Sequence, residues 1–276
     1  MNERAAGTGP AAGAGTARGD APVAGAAPAA RATAAEVEAA LADIADAADA
    51  VNLRRFFKTG PGQYGEGDEF IGVRVPASRA VAKRFANRLA PAEIDALLES
   101  RVHEHRLVGL FLLIADLDRA VAPRTRDEAD ERRVVDQYRR AVRRGRVDNW
   151  DLVDSSADQI LGRWLLLTGA PRDELFALAR SDDLWQRRVG VLATFAFIKS
   201  GDATTTLEIA PLLLDDPHDL LHKAVGWMLR EVGKRVDRAL LLGFLDDYAA
   251  RMPRTMLSYA TEHLDAEQRR HYRSLG

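Results

Sequence analysis

The chain contains no cysteine among its 276 residues. This absence excludes disulfide bonds, thiolate nucleophiles and cysteine-based zinc sites, and it is typical of proteins that fold in a reducing compartment. The sequence also lacks an uncharged apolar run approaching the ~20 residues that a membrane-spanning helix needs. Neither sign of charge dominates, since the formal net charge is −2. These features predict a soluble, cytoplasmic protein that does not bind a membrane.

Large apolar residues are almost missing from the first 34 residues, which consist mostly of Ala, Gly, Pro and Thr. Such a segment cannot bury enough surface to offset the chain entropy lost on folding, so we expect residues 1–34 to be a disordered tail. The segment also lacks the continuous apolar stretch of a secretory signal. Residues 35–276 remain for a single folded domain.

Beyond this tail, apolar residues recur every three to four positions, which is the period of amphipathic helices. The predicted helices include Ala35–Val51, Trp150–Leu167 with a break near Ser155 or Gly162, and Asp183–Lys199. Only Phe70–Val75 resembles an extended segment. From about Arg126 onward, helical pairs recur roughly every 35 to 40 residues, close to the period of HEAT repeats.

This pattern predicts an all-α fold, an α-solenoid of about six HEAT-like helical pairs whose second helices line a concave face. An irregular helical bundle is the alternative architecture.

Basic residues are concentrated in two blocks, although the chain as a whole is nearly neutral. The first block, Arg74–Arg88, contains five basic residues and no acid. The second block, Glu131–Arg146, contains seven arginines and two acids. Separated charge of this kind can create a basic face that attracts nucleic acid, but it is equally compatible with ordinary solvated helix faces.

The segment Asn149–Asp154, with the sequence NWDLVD, presents an aromatic ring and a carboxylate together. Asp148 or Asn149 can cap a helix that begins near Trp150. Trp150 and Asp154 are four residues apart, which places them on one face of that helix. For a single pair of this kind, a core tryptophan beside a surface aspartate is the more common explanation.

Two later segments add residues of the same types. Trp185–Leu192 places Arg187 and Arg188 inside an apolar helix. Lys223–Glu231 carries a tryptophan in mid-helix, and basic residues flank it at helical spacings. These residues are Trp227, Lys223, Arg230 and Lys234. On successive helical pairs, the tryptophans, the carboxylate and the basic residues could converge on one face of a solenoid.

As a set, these motifs resemble the bacterial AlkD-type DNA alkylation-repair glycosylases, a family with HEAT-like repeats. The resemblance extends from about Ala35 to the C-terminus. The matching stretches are FFKTGPGQYGEGDEFIGVRVP (Phe56–Pro76), NWDLVD (Asn149–Asp154), WQRRVGVL (Trp185–Leu192) and LLHKAVGWMLREVGKR (Leu220–Arg235). Some relatives lack the glycine-rich segment Lys58–Phe70, for which the sequence suggests no role.

The resemblance implies that Asp154 is the catalytic carboxylate and that Trp150 and Trp227 are the aromatic residues at the lesion. It implies that Arg188 contacts a DNA phosphate, with Arg187 as the second choice. Lys223, Arg230 and Lys234 are expected to contribute further DNA contacts. The implied activity is hydrolysis of the N-glycosidic bond of cationic purines such as 3-methyladenine and 7-methylguanine in double-stranded DNA.

No cofactor is expected for this reaction, and we expect the protein to act as a monomer, associated with the nucleoid when it is bound to DNA. His218 and His222 have the spacing of a metal-binding pair, but the HDLLH segment lacks the glutamate of the HExxH motif and no third ligand is evident. We therefore expect no metal site. The alternative function is a non-catalytic helical scaffold that binds DNA or protein.

Overall fold

A computed structural model of the protein describes residues 31–275, which form sixteen α-helices without a β-strand among them. The first thirty residues of the predicted tail lie outside the described ones. Ala32, by contrast, is buried and its amide donates to the Arg88 carbonyl at 3.0 Å. Thr33 caps the first helix in a reciprocal capping box with Glu36. These residues at the end of the predicted tail therefore belong to the folded unit.

The helices before the NWDLVD motif are α1 (Ala34–Ala42), α2 (Ala47–Phe56), α3 (Val75–Phe85), α4 (Pro91–Glu99), α5 (His103–Val121) and α6 (Glu128–Arg143). Those that follow are α7 (Trp150–Ser156), α8 (Arg163–Thr168), α9 (Asp173–Ala179), α10 (Leu184–Ala193), α11 (Phe195–Lys199), α12 (Thr204–Ile209), α13 (Asp219–Arg235), α14 (Arg238–Tyr248), α15 (Arg254–Ala260) and α16 (Ala266–Arg273). None of the helices in residues 31–275 has the length and apolar content that crossing a bilayer requires.

Five helices lie side by side in one layer, which we call the site layer. They are α5, α7, α10, α13 and α15, and each contacts the next. Other helices pack against this layer, as α9 does against α10 and α14 does against α13. A continuous apolar core extends from Ala32 to Tyr272. The predicted all-α solenoid is confirmed by this arrangement.

The predicted single helix Ala35–Val51 is wrong, because α1 and α2 are separate helices. Asp46 lies between them and caps α2 by accepting a hydrogen bond from the Asp49 amide at 2.8 Å. The Asp46 amide in turn donates to the Ile71 carbonyl at 3.1 Å. Gly72 has a φ of 87°, and a Cβ at this position would lie 1.9 Å from the Asp46 carbonyl oxygen. Contacts with a distant segment therefore fix the break.

The segment Phe70–Val75, whose composition suggests extended backbone, forms no strand. Instead, the Glu104 carboxylate of α5 accepts hydrogen bonds from the amides of Ile71, Gly72 and Val73 at 2.9–3.2 Å. This buried carboxylate satisfies the backbone donors that a neighbouring strand would otherwise satisfy.

Near the break expected at Ser155 or Gly162, the structure has a π-helical turn, Asp158–Gly162. This turn joins α7 to α8, and the backbone remains helical at both of its ends. At Gly162 a Cβ would lie 2.1 Å from the Ala193 carbonyl oxygen, so glycine permits close approach of the end of α10. Asp183–Lys199 is likewise divided, into α10 and α11. There the Thr194 hydroxyl donates to the Val191 carbonyl at 2.7 Å and competes with the helical backbone.

Candidate functional site

A cleft of about 730 Å³ opens between α2, α3 and α7. Its lining combines aromatic rings, two arginines and the carboxylate of Asp154. The lining residues are Asp49, Asn52, Leu53, Phe56, Phe57, Arg74, Val75, Pro76, Arg79, Trp150, Asp151, Asp154, Ser155 and Gln159. Trp150 and Asp154 thus reach the same cleft from one face of α7, as their spacing predicts.

Asp154 is held in a bidentate ion pair by Arg188 of α10. The Arg188 Nε and Nη2 atoms donate to the two carboxylate oxygens at 2.9 and 2.8 Å, and Nη1 donates to the Leu220 carbonyl oxygen. Burial raises the pKa of Asp154 above its usual value, and the positive charge of Arg188 opposes this effect. The carboxylate is therefore oriented by a rigid partner while it still lines the cleft.

Arg188 is buried and its donors are already paired, whereas a contact with a DNA phosphate requires an exposed guanidinium with free donors. Only 5% of its side chain is exposed, and Nε, Nη1 and Nη2 each donate to an oxygen of the protein. Arg187 is also buried, with Nε donating to Asp216 and Nη1 to the Ser181 carbonyl at 2.7 and 2.8 Å. Both arginines link elements of the fold, so neither presents a free charge to a ligand.

Trp150 begins α7, whose N-cap residue is Asn149, as the sequence predicts. Its indole stacks on Phe57 with ring centroids 5.3 Å apart and an interplanar angle of 15°. The ring of Phe56 meets its edge at 5.8 Å. Phe56 is 63% exposed, which is unusual for so large an apolar side chain and places an aromatic ring at the mouth of the cleft.

Trp227 does not pair with Trp150. It is half-buried in α13, and the ring centroid of Phe195 lies 5.9 Å from its own. Within residues 31–275, the rings close to Trp150 are those of Phe56 and Phe57, and Trp227 is absent from the cleft lining. The two predicted tryptophans therefore lie on helices of the same layer, but their rings do not pack together.

The basic residues predicted on α13 differ in their availability. The Lys223 ammonium is 2.7 Å from Asp219, and the hydrogen bond with that carboxylate raises the pKa of Lys223. Arg230 pairs with Glu231 and Glu262. Lys234 is exposed near the end of the helix. Arg230 is thus the one of the three whose charge is neutralised by two carboxylates.

The two basic blocks of the sequence also differ. Six of the seven arginines in Glu131–Arg146 form ion pairs. Arg132 pairs with Glu128, Arg133 with Asp116 and Asp130, Arg139 with Asp136 and Glu174, Arg140 with Asp95, and Arg144 and Arg146 with Glu99. In Arg74–Arg88, only Arg74 has a carboxylate partner among the described residues, Asp49 at 2.7 Å. Of the two blocks, the first therefore presents more positive charge that no carboxylate of the described residues neutralises.

A buried ionic network, which sequence reasoning missed, lies beside the cleft. His103 contacts Asp68 through Nδ1 at 3.0 Å and Asp151 through Nε2 at 2.8 Å. Burial lowers the pKa of His103, but the two carboxylates outweigh burial and raise the pKa to about 9. Burial raises the pKa of Asp68, but His103 and Arg106 lower it to about 2. His103 is thus an imidazolium that bridges two carboxylates at neutral pH.

This network predicts that the protein loses stability in alkaline solution. The pKa of His103 is raised from 6.5 to about 9 on folding, so its contribution is complete below pH 6.5 and disappears as the pH rises through 9. We expect about 3 kcal/mol of the free energy of unfolding to be lost over this interval. Urea unfolding at a series of pH values measures the loss, and the His103→Gln variant should lack it. Parallel curves for the two proteins would contradict this role of His103.

One member of the histidine pair that suggested metal binding makes a hydrogen bond within the fold. His222 Nε2 interacts with the carbonyl oxygen of Asp216. Across residues 31–275, no group of three His, Asp or Glu side chains is arranged to hold a metal ion.

Comparisons with known proteins agree with this architecture. A family model described as DNA alkylation repair enzyme matches residues 37–264. Among solved structures, one described as a predicted DNA alkylation repair enzyme from Enterococcus faecalis superposes with a TM-score of 0.62 at 15% identity, over 80% of this chain and 97% of that chain. At this identity the similarity shows the fold alone. A search of curated proteins gave no match.

The family model covers α7, α10 and α13, the three helices that carry Asp154, Arg188 and Trp227. A match over most of the folded chain is far more specific than any single motif in it. The chain therefore belongs to the family of DNA alkylation repair enzymes.

Proposed function

We propose that the protein is a DNA glycosylase that hydrolyses the N-glycosidic bond of cationic, alkylated purines in duplex DNA. Asp154 is the catalytic carboxylate, and the protein acts as a monomer whose helical pairs are HEAT-like repeats. The observation that carries this proposal is the fixed carboxylate of Asp154 at an aromatic-lined cleft.

The geometry of Asp154 suits a reaction with a cationic sugar. Alkylation at N7 or N3 gives the purine a positive charge, so the base leaves as a neutral molecule without prior protonation. The bond between C1′ and the purine nitrogen breaks, and positive charge develops on the deoxyribose. A nearby carboxylate stabilises this charge and orients a water molecule, whose oxygen bonds to C1′ while its proton passes to the carboxylate.

Arg188 positions Asp154 in this scheme. Its two hydrogen bonds fix both carboxylate oxygens, and the surrounding fold holds the guanidinium by the Leu220 carbonyl. Preorganisation of this kind removes the need to reorient the charged group during the reaction. The positive charge of Arg188 also opposes the rise in the pKa of Asp154 that burial causes, and it thereby favours the ionised carboxylate.

The duplex lies against the site layer, with phosphates held by the exposed cations of α3. Arg79 both lines the cleft and stacks on Phe111, with its guanidinium carbon 4.2 Å from the ring centroid. Trp150 offers its indole to the positively charged base, an interaction worth about 0.5 to 2 kcal/mol. Lys223 and Lys234 extend the contact along α13, whereas the buried Arg187 and the paired Arg230 stabilise the fold.

Phosphate binding by α3 predicts a change in the salt dependence of DNA affinity. Replacing Arg79 with alanine removes one phosphate contact, so the slope of log affinity against log salt should become shallower by about 0.9. Arg132→Ala on α6 is the matched control, because Arg132 is exposed but already paired with Glu128. Fluorescence anisotropy from low to high salt measures both slopes. This interface would be excluded if the DNA affinity of the wild type did not depend on salt concentration, or if the two variants changed the slope equally.

The competing proposal is a scaffold that binds DNA without catalysis. It is favoured by the ion pairs of α6, which reduce the free positive charge that DNA would meet. Incubation with duplex DNA that carries one 7-methylguanine separates the two functions. A glycosylase releases the free base and leaves an abasic site, whereas a scaffold binds the duplex and leaves it intact.

A further inference from the structure

The glycine-rich loop, residues Lys58–Phe70, is attached to the site by its last residues. The carboxylate of Asp68 accepts hydrogen bonds from His103 Nδ1 and Asn149 Nδ2, both at 3.0 Å, and from Arg106. The Asp68 side chain is 7% exposed. Three buried donors from two parts of the fold thus converge on one carboxylate of the loop, a far stronger attachment than a surface loop requires.

His103 connects this attachment to the catalytic helix. Its other ring nitrogen lies 2.8 Å from Asp151, which follows Trp150 in α7. Its ring stacks on Phe70 with centroids 4.5 Å apart, and Phe57 packs against His103 at 5.0 Å and against Trp150 at 5.3 Å. We call the contacts of Asp68, His103 and Asp151 the pin. The pin fixes the last residues of the loop relative to Trp150.

Tyr64 is the aromatic residue that the loop carries over the site layer. Its ring centroid lies 6.1 Å from that of Trp185 on α10, with the ring planes at 70°. Its hydroxyl reaches back to the Phe56 carbonyl at 3.4 Å. Burial raises the pKa of the hydroxyl, while Trp150, Lys223 and Arg188 act in the opposite direction. Tyr64 therefore lies between Trp185 of α10 and the carbonyl of Phe56, whose side chain lines the cleft.

We propose that Tyr64 is a further substrate-contacting residue, an aromatic wall against which the alkylated base packs, and that the pin is the positioning device that holds it there. This inference rests on the proposed glycosylase function. An electron-rich ring attracts a flat, positively charged purine more strongly than a neutral one, and it excludes water from the developing charge at C1′. The loop thereby selects cationic bases.

Single-turnover release of 7-methylguanine from duplex DNA tests the contact. Tyr64→Ala removes the ring, and we expect release to slow by about tenfold, the size of a typical aromatic contact with a base. The affinity for undamaged duplex should change by less than about twofold, because no phosphate contact is lost. Tyr64→Phe restores the ring and should recover most of the rate. Equal rates for wild type and Tyr64→Ala would overturn the proposal.

The pin is tested by combining variants. Asp68→Asn keeps the size of the side chain but weakens its hold on His103, so it should slow release about as much as Tyr64→Ala does. If the pin acts through Tyr64, the double variant should be no slower than the slower single variant. Losses that multiply in the double variant would show independent actions and overturn this part of the proposal. Melting temperatures establish that each variant is folded at the assay temperature.

The outcomes separate this inference from the function on which it depends. Release by wild type with no effect of Tyr64→Ala rejects the role of Tyr64 and leaves the glycosylase function intact. Absence of release by wild type, with duplex binding retained, rejects the glycosylase function and the role of Tyr64 together.

Discussion

Replacement of Asp154 with asparagine should reduce the rate of base excision by about 10²- to 10³-fold. Asparagine retains the size of the side chain but not its charge, so it cannot stabilise the cationic deoxyribose. DNA affinity should be unchanged or slightly higher, because a negative charge near the phosphates is removed. Excision rate and binding affinity should therefore separate, which single-turnover release and anisotropy on the same duplex would measure.

The ion pair with Arg188 means that Asp154→Asn should also reduce the stability of the fold. Arg188 donates to both oxygens of Asp154, and the amide of asparagine can accept at only one of them. We therefore expect a loss of about 1–3 kcal/mol in the free energy of unfolding from the unsatisfied buried donor. Asp158→Asn is the matched control, since Asp158 lies in the following turn and pairs with Lys199 outside the cleft lining. Comparable excision losses in both variants would contradict a specific role for Asp154.

Replacement of Arg188 should damage both stability and catalysis. Arg188→Ala leaves a buried carboxylate without its partner, a change that typically costs about 3–5 kcal/mol. Excision should fall by about 10²-fold, because the carboxylate loses its fixed orientation and the positive charge that favours its ionised form. Arg188→Lys retains the charge without the bidentate geometry, so it should remain folded over a wider range of temperature. Chemical unfolding and single-turnover release on both variants measure these effects.

The pH profile of Arg188→Lys distinguishes positioning from phosphate binding. Burial raises the pKa of Asp154 and Arg188 opposes it, so weakening the pair should raise that pKa further. Excision requires the ionised carboxylate, so it falls as the pH drops through this pKa, and in Arg188→Lys the fall should begin at a higher pH. If Arg188 contacted a phosphate instead, Arg188→Lys would alter the salt dependence of DNA affinity, and the pH at which excision falls in acid would be unchanged.

The sequence predicts those features that depend on local chemistry. The helical period, the start of α7 at Trp150 and the shared face of Trp150 and Asp154 follow from spacing and capping preferences. The break at Asp46 does not, because the Ile71 carbonyl and the close approach of Gly72 determine it from elsewhere in the chain. Tertiary contacts override local helix propensity at such positions.

Charge is the property that the sequence predicts least well. The count of arginines in Glu131–Arg146 suggests a basic face, but their carboxylate partners come from α4, α5, α9 and neighbouring turns of α6. The same limit applies to Arg188, whose partner Asp154 is 34 residues away. Pairing across a fold depends on which side chains meet, and residue counts within one segment contain no such information.

For the glycine-rich loop, the sequence predicts too little rather than too much. Its sequence matches no phosphate-binding motif, and its glycines suggest only a flexible turn. In the structure, Asp68 is buried against His103 and Arg106, and Phe70 stacks on the imidazole. The alternation of glycines with acidic and aromatic residues was the available signal, but only the folded structure supplies the partners that give these residues a role.

Single-turnover release of 7-methylguanine from a duplex that carries one such base is the most direct test of the central claim. The account predicts that the wild-type protein releases the free base and leaves an abasic site, and that Asp154→Asn, still folded and bound to the same duplex, releases it about 10²- to 10³-fold more slowly. Wild-type protein that binds this duplex without releasing the base, or a variant as fast as the wild type, would contradict it.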